Sequence, residues 1–146
     1  MATVSWIVLA KDVLEDNNGN TVIVSPITTL VVDKFPQKVN IRIAFGLKDL
    51  DRSSDKKIKI GVGQLVKNQL ASEPITHNNI KNMLGQGEMK LPELFNNEEE
   101  VYADFETSII LNDFEFKEKG NYFASIQLDN SGLTTFFNVT NSEDNN

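Results

Sequence analysis

The chain has 146 residues, with 14 Lys and Arg against 21 Asp and Glu, one His and no Cys, for a net charge of −7. That length suits one domain able to bury about two thirds of the surface its unfolded form exposes. The lack of Cys excludes disulfides, thiolate zinc sites and cysteine nucleophiles, and the acidic balance disfavours direct nucleic-acid binding because it repels phosphate backbones.

The first predicted strand covers residues 4–10, with Val4, Trp6 and Val8 on one side and Ile7 and Leu9 on the other. Apolar residues on both faces predict a strand covered on both sides. The apolar run within it, residues 6–10, has no basic segment before it, and no run approaches the roughly 20 residues that cross a bilayer. The expectation is therefore a cytoplasmic chain without a leader or a membrane span. Glu15, Asp16, Asn17, Asn18 and Gly19 predict a turn. A second strand over 21–32 is interrupted at Pro26, which cannot donate to a ladder and so marks a bulge, an edge or a corner between sheets.

Period-2 alternation is clearest at Val39, Ile41, Ile43, Phe45 and Leu47, answered after a polar turn by Ile58, Ile60 and Val62. This spacing predicts two half-buried strands over 39–47 and 58–66, joined as a long β-hairpin. Residues 71–100 lack alternation and form a predicted insertion. Within it, Ile80, Met83 and Leu84 have helical spacing, and Met89, Leu91, Leu94 and Phe95 surround Pro92. Further strands are predicted over 101–111, 122–128 and 133–139, the last two joined by Asn130, Ser131 and Gly132. The polar residues 141–146 have nothing to bury and predict a disordered tail. Together these elements predict an all-β, antiparallel two-sheet sandwich, immunoglobulin-like or jelly-roll-like. It has seven to eight strands in one domain over 1–140, with a partly helical or irregular insertion.

An apolar start ending in Ala10, then Asn18 and Gly19, Val22 to Val24, Phe35 and Pro36, and later Phe114, Phe116, Gly120, Tyr122, Ile126, Asp129 and Phe137 to Val139, resembles a family of small uncharacterised β-sandwich proteins of bacteria and phages. The resemblance implies a sandwich fold and transfers no activity to any residue. Ser25 and Pro26 stand where that family often has a Gly, and the middle insertion is longer than its pattern.

No catalytic motif emerges. His77, the single histidine, sits among Thr76, Asn78 and Asn79 and reads as an exposed loop residue. Gly85 and Gly87 lack the third glycine and the lysine of a phosphate cradle. Glu98, Glu99 and Glu100 read as a solvated run. In an alternating topology Glu15 and Asp16 share an end with Asp49, Asp51 and Asp55, and Asp113 and Glu115 join them if the insertion adds an even number of strands. Calcium is thus an alternative ligand, although Arg52, Lys56 and Lys57 neutralise the same loop and the spacing is not that of an EF-hand. The expectation is no cofactor and no metal.

Two features suggest binding. In the predicted hairpin Ala44 and Gly46 oppose Gly63 and Gly61 on the outward face, a bare platform on which another segment or another protein packs. The insertion supplies Met83, Leu84, Met89, Leu94 and Phe95, apolar side chains for either the core or a partner. The sequence therefore predicts a non-catalytic module that binds another protein or itself. The alternative is a small acidic inhibitor or decoy, of phage or mobile-element origin, that occupies a basic groove of a host protein.

Overall fold

The computed structural model describes residues 2–53, 57–67, 74–95, 97–128 and 130–142. The described residues form nine strands: β1 (Thr3–Glu15), β2 (Thr21–Pro26), β3 (Thr29–Val32), β4 (Gln37–Leu50), β5 (Lys57–Leu65), β6 (Ile80–Lys90), β7 (Ala103–Phe116), β8 (Gly120–Leu128) and β9 (Ser131–Asn141). They build a four-stranded sheet in the order β2-β1-β4-β7 and a five-stranded sheet in the order β3-β9-β8-β5-β6. All pairs are antiparallel except β3 with β9, which run parallel. The fold is thus all-β with two packed sheets, and the expectation of purely antiparallel pairing is corrected at that one edge.

The predicted 39–47/58–66 hairpin does not exist. Its first run lies in β4 between β1 and β7, its second in β5 between β6 and β8, and the two belong to different sheets. The inward faces were nevertheless read correctly. Ile41, Ile43, Phe45 and Leu47 and, from the opposite layer, Ile58 and Val62 share one buried cluster. Alternation reports which side of a strand is dry but not which strand lies beside it. Two runs that meet across the core read the same as two that pair.

The described part of the predicted insertion is likewise not α-helical. Apart from a single 3-10 turn at His77–Asn79, its central part is strand β6. The misleading spacing has a definite cause. Between Val62/Gly63 and between Gln64/Leu65 the β5–β6 register slips, so Leu84 and Lys81 are extra residues in β6 without a partner in β5. Each bulge inserts one residue into a period of two, and Ile80, Met83 and Leu84 then fall at intervals of three and one. Residues 71–73 and 96 of the predicted insertion, Asp55, Asp129 and tail residues 143–146 lie outside the described residues; Asn141 still belongs to β9.

Pro26 marks the corner. It ends β2 in the four-stranded sheet, Ser25 beside it has a φ of 53°, and after buried Ile27 the chain resumes as β3 in the other sheet. The β1–β2 hairpin has its own geometry. β1 leaves β4 after the Ala10–Arg42 pair and continues with β2 alone. β2 and β7 are opposite edges of this sheet, yet the Thr21 hydroxyl donates to a Glu106 carboxylate oxygen at 2.6 Å. The hairpin must therefore curl over the outer face of its own sheet. Arg42 on that face pairs with Asp12 at 3.1 Å, and Ala10 and Ala44 there are completely buried.

One end of the core is aromatic. Phe116 meets Tyr122 and Phe137 edge-on at centroid distances of 5.1 and 6.0 Å, and Tyr122 stacks on Phe137 at 5.7 Å. Such pairs add about 0.5–1.5 kcal/mol each beyond their buried area. The Tyr122 hydroxyl donates back to the Glu118 carbonyl at 2.5 Å, a tyrosine corner that pins the β7–β8 connection to the start of β8.

Candidate functional site

The nine residues predicted for partner binding separate into four places. Ala44 and Gly46 lie on the outer face of the four-stranded sheet, where Gly46 opposes Trp6 and Glu106. They form no bare platform. A Cβ at Gly46 would stand 2.1 Å from Trp6 Nε1, so the indole lies directly on the glycine backbone. Leu84, Met89 and Leu94 pack against the core. Phe95 is half-buried beneath the Arg52 guanidinium, 4.6 Å from its ring centre, while Arg52 also donates to the Asn97 carbonyl.

Gly61, Gly63 and Met83 do come together, on the outer face of the five-stranded sheet. Gly61 pairs with Ser125 and Gln86, and Gly63 with Phe123 and Met83. Because alternate residues of β8 point inward (Tyr122, Ala124, Ile126 and Leu128, all buried), Phe123, Ser125 and Gln127 point outward. The Phe123 ring lies over Gly63, whose added Cβ would meet its Cε1 at 2.6 Å and the Asn82 carbonyl at 3.1 Å. Beside it, Gly61 leaves the sheet surface low, with Ser125 Oγ 3.1 Å and Met83 Cε 3.5 Å from where a Cβ would sit. The result is a shallow groove of about 510 Å³ lined by Gly61, Ile80, Met83, Phe123 and Ser125, with Lys59, Glu88 and Gln127 among the polar groups around it. Met83 is 40% exposed there.

A polar knot closes the adjoining end of the same sheet. Lys81 Nζ and Gln64 Nε2 both donate to Glu118 Oε1, the latter at 2.8 Å, and Gln64 Oε1 accepts from Asn82 Nδ2 at 3.4 Å. Among the described residues Gln64 is the buried polar side chain, and no buried side-chain polar atom lacks a partner. Hydrogen bonds from Lys81 and then Gln64 hold the Glu118 carboxyl below the usual range. Burial, with the Glu118 charge adding to it, pushes the Tyr122 phenol up to about 12.

The remaining candidates behave as local structure. His77 is exposed in its 3-10 turn, with Thr76 N and Oγ1 donating to Asn79 Oδ1 at 2.9 and 2.8 Å. Asp16 Oδ1 accepts from the backbone N–H groups of Asn20 and Asn18, which lowers its pKa. Asp51 caps Ser53 in the same manner. Among the described residues no three acids or histidines come close enough to hold a metal ion. No helix among them is long and apolar enough to cross a membrane.

Sequence reasoning missed Phe123 and Trp6, the rings that cover the glycines. A signal existed for the first: Phe123 is the large apolar residue at an outward position of a strand whose inward positions were already apolar. No protein-family model and no curated protein matches this chain.

Proposed function

We infer that this protein is a non-catalytic binding module that engages another protein, or a second copy of itself, through the outer face of its five-stranded sheet. The groove at Gly61, Met83 and Phe123 carries this reading, because it exposes Met83 above a low floor of Gly61 and buried Phe123 on a sheet face that would otherwise carry long polar side chains. An immunoglobulin-like arrangement is part of the same proposal. It is supported by the order β3-β9-β8-β5-β6, the parallel β3–β9 edge and the tyrosine corner at Tyr122. Kinship with small bacterial and phage β-sandwich proteins, which rests on the spacing of residues such as Asn18, Gly19, Phe35, Pro36, Gly120 and Tyr122, and a cytoplasmic location belong to the same proposal.

The test introduces charge into the groove without touching the core, by Met83→Glu combined with Ser125→Arg. Sedimentation equilibrium measures self-association, and quantitative retention on immobilised protein measures a captured partner. Loss of the dimer or the partner with an unchanged melting temperature supports the reading. Retention of both by the variant overturns it. Binding that survives in the variant but collapses as salt rises from about 50 to about 500 mM points instead to a charge-driven decoy.

A further inference from the structure

A second concavity, about 880 Å³, opens where the β7–β8 connection meets the ends of β5 and β9, and its charge is opposite to that of the molecule. Lys67, Lys81, Lys117 and Lys119 line it, against the one carboxylate of Glu118. Four of the 14 basic residues thus converge on one cleft of a chain whose net charge is −7. Glu118 is already engaged by Lys81 and Gln64, and among the described residues neither Lys67 nor Lys117 has an ion-pair partner. Neutral donors accompany the lysines. Asn121 and Asn138 face each other across the β8–β9 ladder and line the cleft with Thr140, while half-buried Phe35 supplies an apolar wall.

We propose that this cleft binds a small phosphate-bearing ligand of the di- or triphosphate class. Size and charge together select it. The volume falls within the roughly 300–1,000 Å³ of small-molecule sites. A compact oligoanion held inside it meets a field of four lysines against the single carboxylate of Glu118. A long polyanion or an extended acidic peptide would run onto the acidic surface, which acts over a screening length of about 8 Å at physiological salt. The terminal phosphate of such a ligand carries up to about two charges and three acceptor oxygens, and each inner phosphate adds one more charge, matching the cleft's lysines with amide and hydroxyl donors between them.

The experiment is calorimetric titration of the full chain with inorganic tripolyphosphate, and separately with ATP, citrate and an oligo-aspartate peptide, near 150 mM salt. Saturable binding of tripolyphosphate is expected, weakened about tenfold in Lys67→Gln/Lys117→Gln, where two ammonium charges are lost. Lys57→Gln/Lys90→Gln, which removes the same charge outside the cleft, is expected to leave it unchanged. Glu118→Gln is expected to tighten binding about two- to threefold by freeing Lys81. Melting temperatures establish that each variant is folded. ATP binding more tightly than tripolyphosphate places the base against Phe35 and supports the same site. The proposal is overturned by no saturation at millimolar tripolyphosphate, by equal loss in both lysine pairs, or by citrate or the peptide binding as tightly.

Discussion

Gly46→Ala probes how the outer face of the four-stranded sheet is closed. The added Cβ would lie 2.1 Å from Trp6 Nε1 and 2.7 Å from Cδ1 and Cε2, whereas ordinary carbon contacts begin near 3.5 Å. The indole must withdraw by roughly 1.4 Å. Overpacking of this kind costs about 1–3 kcal/mol, and relief of the glycine's conformational entropy returns about 0.5–1 kcal/mol. The net expectation is a loss of about 1–2 kcal/mol, or about 3–6 °C in melting temperature for a domain of this size. Gly87→Ala is the matched control, because nothing lies within 4 Å of its added Cβ; it is expected to be neutral or mildly stabilising. Trp6 is the single tryptophan, so its emission reports the displacement directly and should shift to longer wavelength in Gly46→Ala alone. Trp6→Leu should relieve the clash, giving a favourable coupling of about 1 kcal/mol in a double-mutant cycle. A Gly46→Ala protein that melts at or above the wild type with unchanged emission would refute the reasoning.

Other perturbations test the remaining contacts. Tyr122→Phe removes the bond to the Glu118 carbonyl and should cost about 1 kcal/mol in urea unfolding. The raised phenol pKa makes the stability contribution complete below about pH 10 and lost as pH rises towards about 12; unfolding midpoints at alkaline pH should therefore fall more steeply in wild type than in Tyr122→Phe. Asp16, whose pKa is lowered in the folded turn, contributes above its ordinary range near 3.8 and loses that contribution as pH falls through its folded value. Asp16→Ala should flatten acid sensitivity, measured by melting between about pH 5 and pH 2. Thr21→Val cuts the tether from the hairpin to Glu106; hydrogen exchange should rise within β2 while the global melting temperature stays within about 2 °C, because exposed contacts contribute little to overall stability.

How far the sequence foretold this fold depends on which physical constraint each residue reports. Inward faces were legible because alternation at Ile41, Ile43, Phe45 and Leu47 and at Ile58, Ile60 and Val62 is a direct trace of one dry side. Sheet membership was not, since the polar residues between the two runs are compatible with a tight turn or with a crossing between layers. The bulges at Lys81 and Leu84 erased the period that would have revealed β6. Pro26 was informative because a missing donor constrains the ladder wherever it occurs. The glycines were read as absence of side chain, when their neighbours show why it is absent: Trp6 and Phe123 occupy the space. No local pattern could assemble the lysine cleft, because Lys67, Lys81 and Lys117 come from three separated segments that the β8-β5-β6 pairing of the five-stranded sheet brings together.

The two proposed surfaces share a strand, which makes their independence testable. Asn121 in the cleft and Phe123 in the groove are successive outward residues of β8, so they stand about 7 Å apart along it. Lys81 and Met83 are likewise close on β6, although Lys81 is itself a bulged residue that turns the strand. An anion held by Lys81 would lie one side chain from the apolar face and would neutralise charge beside it. A protein partner with an acidic rim would then bind less well when the cleft is filled, because it loses the lysine attraction, whereas one with a basic rim would bind better. Measuring partner or dimer affinity with and without saturating tripolyphosphate gives the sign. A change that disappears in Lys67→Gln/Lys117→Gln but persists in Lys57→Gln/Lys90→Gln assigns the coupling to the cleft. Unchanged affinity at saturation establishes that the two surfaces act separately despite their shared strand.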